Sequence, residues 1–130
     1  METIERRGSI KKSSKKKALE IARLVKEKKA EDVVVIDVTE VSSIADYILI
    51  CSVGSERQAQ SVSRYVEEEL EKKDLEALSI EGFETGRWVL MDYADVIAHI
   101  FLDEVRAFYD IEGLWIDCPR VEIEEEKKAG

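Results

Sequence analysis

The stretch Trp88-Val89-Leu90-Met91-Asp92-Tyr93-Ala94-Asp95-Val96-Ile97-Ala98-His99-Ile100-Phe101 decides how this chain folds. Two apolar-rich runs flank Ala94-Asp95, the pattern of an antiparallel β-hairpin closed by a tight turn. Opposite residues in such a pair share a face, and successive residues alternate faces. With Ala94-Asp95 as the loop, Tyr93 faces Val96, Asp92 faces Ile97, Leu90 faces His99 and Trp88 faces Phe101. One face then carries Val89, Met91, Tyr93, Val96, Ala98 and Ile100, all suited to a core. The other carries Trp88, Leu90, Asp92, Ile97, His99 and Phe101: two large aromatics, a carboxylate and the only histidine of the chain. A loop longer by two residues keeps these faces, whereas a one-residue slip exchanges them. Aromatic groups beside a few polar ones are typical of protein-interface hot spots. The competing reading is that a helix covers this face and His99 is a satisfied core histidine.

Outward from the hairpin, strands and helices succeed one another. Residues 78–83 read as a strand ending in Glu81-Gly82. Before it, Gly54-Ser55-Glu56-Arg57-Gln58 opens a long helix, with Ser55 and Gln58 spaced as a capping box. Ala59, Val62, Val66 and Leu70 form its buried stripe. Residues 33–38 and 46–53 are apolar strands joined by a polar connection. Residues 18–29 form an amphipathic helix through Ala18, Ile21, Ala22, Leu24 and Val25. After the hairpin, residues 103–109 read as a short helix, and a further apolar segment ends at Pro119. The expected fold is α/β: a single domain with a mixed β-sheet flanked by helices.

The 130 residues fit one core. Residues 1–17 hold seven Lys/Arg, two Glu and almost no large apolar side chain, so they are expected to be disordered. They serve either as a basic arm toward RNA or as a leader without a role. The domain proper is placed at residues 18–120, with residues 121–130 as a charged tail. The net charge of −9 divides into +5 for residues 1–17, −2 for residues 121–130 and therefore −12 for the body. So acidic a body argues against direct nucleic-acid binding by the core and for a basic protein partner. The longest apolar runs are too short to cross a membrane, and no export signal follows the basic start; a cytoplasmic protein is expected. Cys51 and Cys118 are too few for a disulfide framework or a zinc site.

Two catalytic arrangements can be drawn. Gly54-Ser55 at a helix start could hold a phosphate, with Asp37, Asp46 or Glu81 as metal-binding carboxylates of a nucleotidyltransferase-like enzyme. The strand at residues 78–81, however, offers Glu81 alone and no Asp-x-Asp pair. Cys51, His99 and Asp92 could form a nucleophile, base and orienter, but Cys51 lies in an apolar strand where a thiol packs rather than reacts.

Taken together, these segments resemble the Iojap/ribosomal silencing factor family. The residues that carry the resemblance are Ser42-Ser43-Ile44-Ala45-Asp46-Tyr47, Gly54-Ser55 with Arg57-Gln58, Glu81-Gly82, the hairpin of residues 88–101, Arg106, Phe108-Tyr109 and Leu114-Trp115. They span residues 18–119. Ala94 stands where the family usually has Gly, which puts a positive-φ turn in question, and Ala98 is smaller than the usual Val or Ile. The resemblance implies a fold like the nucleotidyltransferase core without its catalytic carboxylates. It implies a non-enzymatic translation repressor, without cofactor or metal, that binds the large ribosomal subunit through its fourteenth protein and blocks subunit joining. Organelle relatives are tied to ribosome biogenesis. The partner-binding residues expected here are Glu81, Trp88, Asp92, Tyr93, Asp95, His99 and Phe101. Whether the free protein forms a homodimer stays open.

Overall fold

The computed structural model describes residues 2–123, with side chains from residue 13 onward. Its elements are α1 (Glu2–Glu27), β1 (Glu31–Asp37), β2 (Tyr47–Val53), α2 (Glu56–Glu71), β3 (Ser79–Glu81), β4 (Trp88–Asp92), β5 (Val96–Leu102), α3 (Asp103–Tyr109), a 3-10 turn (Ile111–Trp115) and β6 (Arg120–Val121). The strands form one sheet in the order β3-β4-β5-β2-β1-β6. Among the described residues only β2 and β5 run parallel, joined by a crossover through α2; every other neighbouring pair is antiparallel. The sheet is therefore mixed, in one α/β domain, as expected.

The hairpin register is the one the alternation predicts, with Trp88 opposite Phe101, Leu90 opposite His99 and Asp92 opposite Ile97. Val89, Met91, Val96, Ala98 and Ile100 are fully buried, together with Leu49, Cys51 and Val35 of the neighbouring strands. Against this face lie α1, through Ile21, Leu24 and Val25, and α2, through Ala59, Val62, Val66 and Leu70. β2 is buried along its whole length, because the central strand of a covered sheet meets protein on both faces.

Ser55 caps α2 as its spacing predicts, accepting from the Gln58 backbone N–H at 3.0 Å. The return bond of the box goes one residue earlier, from the Gly54 N–H to Gln58 Oε1 at 2.9 Å. The turn at Ala94 keeps a positive φ of 74° without glycine. Asp92 Oδ1 supports it by accepting from the Ala94 N–H at 2.8 Å, and the Asp95 N–H closes onto the Tyr93 carbonyl at 3.0 Å. Gly82 has φ +79°, and a Cβ there would lie 2.0 Å from the Trp88 carbonyl oxygen. Glycine is thus required where β3 turns toward β4.

Helix α1 extends ahead of residue 18, the expected start of the domain. The helix begins at Glu2, and Ser14 is wholly buried. Ser14 Oγ lies 2.6 Å from Asp95 Oδ2 and 2.9 Å from Asp46 Oδ2, and Lys17 Nζ reaches Asp95 Oδ1 at 2.6 Å. Ser14 and Lys17 continue the stripe of Ala18, Ile21 and Val25, but with polar groups. Their anchors are carboxylates from two distant loops, so apolar content alone misjudged them. At the other end, β6 pairs with β1, and Ile123 packs against the core. Residues 124–130 of the expected tail lie outside the described residues.

Candidate functional site

The sheet face turned away from α1 and α2 is covered unevenly. It carries Ile36, Ile48, Ile50 and Ser52 on one half, and Ile97, His99, Phe101, Trp88, Leu90 and Asp92 on the other. The segment after β5 closes the first half. Arg106 of α3 fastens it there, donating to Ser52 Oγ at 2.8 Å, to the Asp32 carbonyl at 2.8 Å and to Glu112 Oε1 at 2.6 Å. The Arg106 hydrogen bonds hold the Glu112 carboxyl below the ordinary carboxylate pKa, against the opposing push of burial. Asp110, at φ 42°, ends α3 and turns the chain into the 3-10 segment. Ile111 and Trp115 then pack on the core.

The second half is left half-open. Trp88, Leu90, Asp92 and Ile97 are only partly buried, whereas Phe101 and His99 lie beneath them at 0% and 7% exposure. Trp88 is the keystone of an aromatic run, with ring centroids 4.8 Å from Phe101, 5.9 Å from His99 and 5.2 Å from Tyr109. Trp88 Nε1 donates to His99 Nδ1 at 3.0 Å. His99 therefore accepts at Nδ1 and is neutral; burial pushes its pKa down to about 4. At the rim, Phe108 stands 79% exposed, edge-on to Tyr109. Leu114 and Ile116 of the following segment are also exposed, at 74% and 77%. Glu81, exposed on the edge strand β3, sits opposite Leu90 in the sheet. The result is a shallow apolar-aromatic floor with carboxylates around it.

Of the expected contact residues, Glu81, Trp88 and Asp92 are brought together on this open half. His99 and Phe101 lie under it as support. Tyr93 is buried on the helix side, away from that half, and burial raises its phenol pKa. The Asp95 carboxylate lies at the hairpin turn and holds it to α1. Burial alone would raise the Asp95 pKa, but hydrogen bonds from Lys17 and Ser14 bring it below normal. Sequence reasoning left Phe108 and Tyr109 out of the candidate site. A usable signal was the adjacent pair Phe108-Tyr109 at a helix end, since consecutive helical residues cannot share one buried stripe.

The catalytic arrangements are not assembled. Cys51 pairs with Ile100 on the helix-covered face, the opposite face from His99 and Asp92, and burial pushes its thiol pKa up to about 12. Asp37 lies on β1 and Glu81 on β3, four strand spacings apart, or about 19 Å. Asp37 is also occupied locally, accepting from the Thr39 N–H and hydroxyl. The hollow beside Gly54-Ser55 is lined by Glu56, Asp103 and Glu104, which repel a phosphate. Among the described residues, no helix is long and apolar enough to cross a membrane.

Fold and site thus define an α/β domain whose distinctive feature is a sheet half-covered by its own C-terminal segment. Residues 11–130 match the family model described as ribosomal silencing factor during starvation, and the chain belongs to that family. It is 42% identical over 100 residues to the ribosomal silencing factor RsfS of Halalkalibacterium halodurans, covering 77% of this chain and 86% of the relative. The RsfS of Bacillus subtilis is 36% identical over 98 residues, covering 75% of this chain and 83% of its own. A more distant relative, the mouse mitochondrial assembly of ribosomal large subunit protein 1, is 28% identical and covers 73% of this chain and 43% of that protein. A crystal structure from Bacillus halodurans superposes with a TM-score of 0.72 at 38% identity, covering 81% of this chain and 96% of that one.

Proposed function

We propose that this protein is a non-enzymatic translation repressor that docks on the large ribosomal subunit, through its fourteenth protein, and prevents the small subunit from joining. The observation that carries the reading is the half-open sheet face. Trp88 and Leu90 form a desolvatable floor, Phe108 and Tyr109 a rim, and Asp92 and Glu81 supply carboxylates for a basic partner. Such a face suits hot-spot binding, with aromatic anchors surrounded by polar contacts that exclude water. Family membership supports a role at the ribosome, and the name of the mouse relative supports the large subunit in particular. The activity would be steric, so no cofactor or metal is required.

The test is sedimentation of the protein with purified ribosomal subunits. It should travel with large subunits and not with small ones, and adding it before the small subunit should lower the fraction of joined ribosomes. Equal binding to both subunits, or unimpaired joining at saturating protein, would overturn the reading. Asp92→Asn refines the test, since the amide oxygen can still accept from the Ala94 N–H while the charge is lost. Affinity should fall at low salt; an unchanged value would remove Asp92 from the contact.

A further inference from the structure

A second surface lies on the outer side of α2, in the helix layer away from the half-open sheet face. Arg57, Ser61 and Arg64 recur at i, i+4 and i+7, so they follow one line of about 10 Å along the helix. With Lys28, Tyr65 and Phe83 they line a hollow of about 400 Å³. Its cations are held against rings: the Arg64 guanidinium carbon is 5.1 Å from the Phe83 centroid, and the Lys28 ammonium is 4.7 Å from that of Tyr65. Gln60 secures the wall by donating to the Phe83 carbonyl at 2.9 Å and the Glu84 carbonyl at 3.0 Å.

Arg23, Lys73, Arg87, Arg106 and Arg120 each meet a carboxylate. Among the described residues, none of Lys28, Arg57 and Arg64 is in an ion pair. Three cations face the single carboxylate of Glu68 in the lining, a local balance of +2 in a chain of net −9. Charges farther off than about 8 Å are largely screened at physiological salt; nearer by, Glu27 accepts from the Tyr65 hydroxyl and is itself ion-paired with Arg23. The whole-body charge that argued against nucleic-acid binding by the core therefore does not govern this spot.

We propose that this hollow binds the phosphodiester backbone of an RNA strand. A row of cations matches a repeated charge, and planar guanidinium groups grip phosphate oxygens in pairs. The Arg64 guanidinium, held over the Phe83 ring, offers a face on which an unpaired base can stack. An acidic peptide would match the charges but leave that face unused. The residues are distinct from those of the docking face, so free RNA tests this site whatever the outcome for the ribosome.

The experiment uses the full chain and a fluorescein-labelled oligouridylate of about ten nucleotides, followed by anisotropy over a range of salt. Arg57→Gln with Arg64→Gln is compared with Lys72→Gln with Lys73→Gln, which removes the same charge at the far end of α2. The first pair should weaken binding about ten-fold or more and lower the log–log salt slope by about 1.4, the loss of two phosphate contacts. The second pair should change affinity less than about two-fold. Equal losses in both pairs would mean that only net charge matters, and absent binding at low salt would likewise overturn the proposal. So would an oligoglutamate peptide that competes as strongly as unlabelled RNA, since the hollow would then be a protein site.

Discussion

Replacing Trp88 with Ala perturbs folding and docking by separable amounts. Truncating a fully buried Trp costs about 3–5 kcal/mol; Trp88 is only partly buried, so roughly 2 kcal/mol is expected from lost packing. The change also strips the donor from His99 Nδ1, held at 3.0 Å in a residue only 7% exposed, which adds about 1 kcal/mol. The sum of about 3 kcal/mol should lower Tm by about 10 °C in a domain of this size. With about 5–15 kcal/mol of total stability the variant still folds at low temperature. There, docking should weaken by about 2 kcal/mol or more, roughly thirty-fold, because the anchor of the aromatic floor is gone. Thermal melts followed by circular dichroism give the first quantity. Titration of labelled protein with large subunits, at a temperature where the variant is folded, gives the second. Trp88→Phe should retain most of the stacking on Phe101 and Tyr109 and lose mainly the hydrogen bond. Wild-type affinity in folded Trp88→Ala would refute the docking-face argument; an unchanged Tm would refute the packing argument.

Three further outcomes can be checked. The folded pKa of His99, about 4, lies below its unfolded value, so stability from keeping it neutral is complete above pH ~6.5 and is lost as pH falls toward 4. The loss is roughly 3 kcal/mol. Urea melts between pH 7 and pH 4 should show it, and His99→Gln should flatten that part of the curve; an equally steep curve would contradict the burial argument. Removing residues 1–12 should leave Tm nearly unchanged, whereas removing residues 1–17 should lower it, because Ser14 and Lys17 are lost from Asp95 and Asp46; identical melts would refute the anchoring role. Ala94→Gly should raise stability by about 1 kcal/mol, since glycine relieves a positive φ that costs Ala about 1–3 kcal/mol and gives back part in chain entropy; a lower Tm would show that the turn is not strained.

The hairpin was legible because strand alternation has a period of two and the apolar pattern admits a single phase. From Trp88 to Phe101 the register, the buried set and the separate polar-aromatic set all follow from that rule. The α2 start was equally readable, since a cap is a contact within three residues. The use of each face was not legible. Tyr93 and Asp95 sit beside residues of the half-open face in sequence, yet one points under the helices and the other is held by Lys17. Neighbours in a strand face opposite ways, and a turn residue meets whatever a distant element brings to it.

What the sequence determined by itself was local and periodic: the strands and helices, the alternating faces, the capped helix and the acidic balance of the body. The tertiary structure alone decided how much of the second face stays open, because coverage depends on where a distant segment lands. Arg106 pins α3 to Ser52 and the Asp32 carbonyl, closing one half of that face and leaving Trp88 and Leu90 partly bare beside Tyr109. It likewise drew Ser14 and Lys17 into the fold and gathered Lys28, Arg57 and Arg64 into one hollow. Contacts between residues tens of positions apart carry no periodic signature, so only the folded chain reveals them.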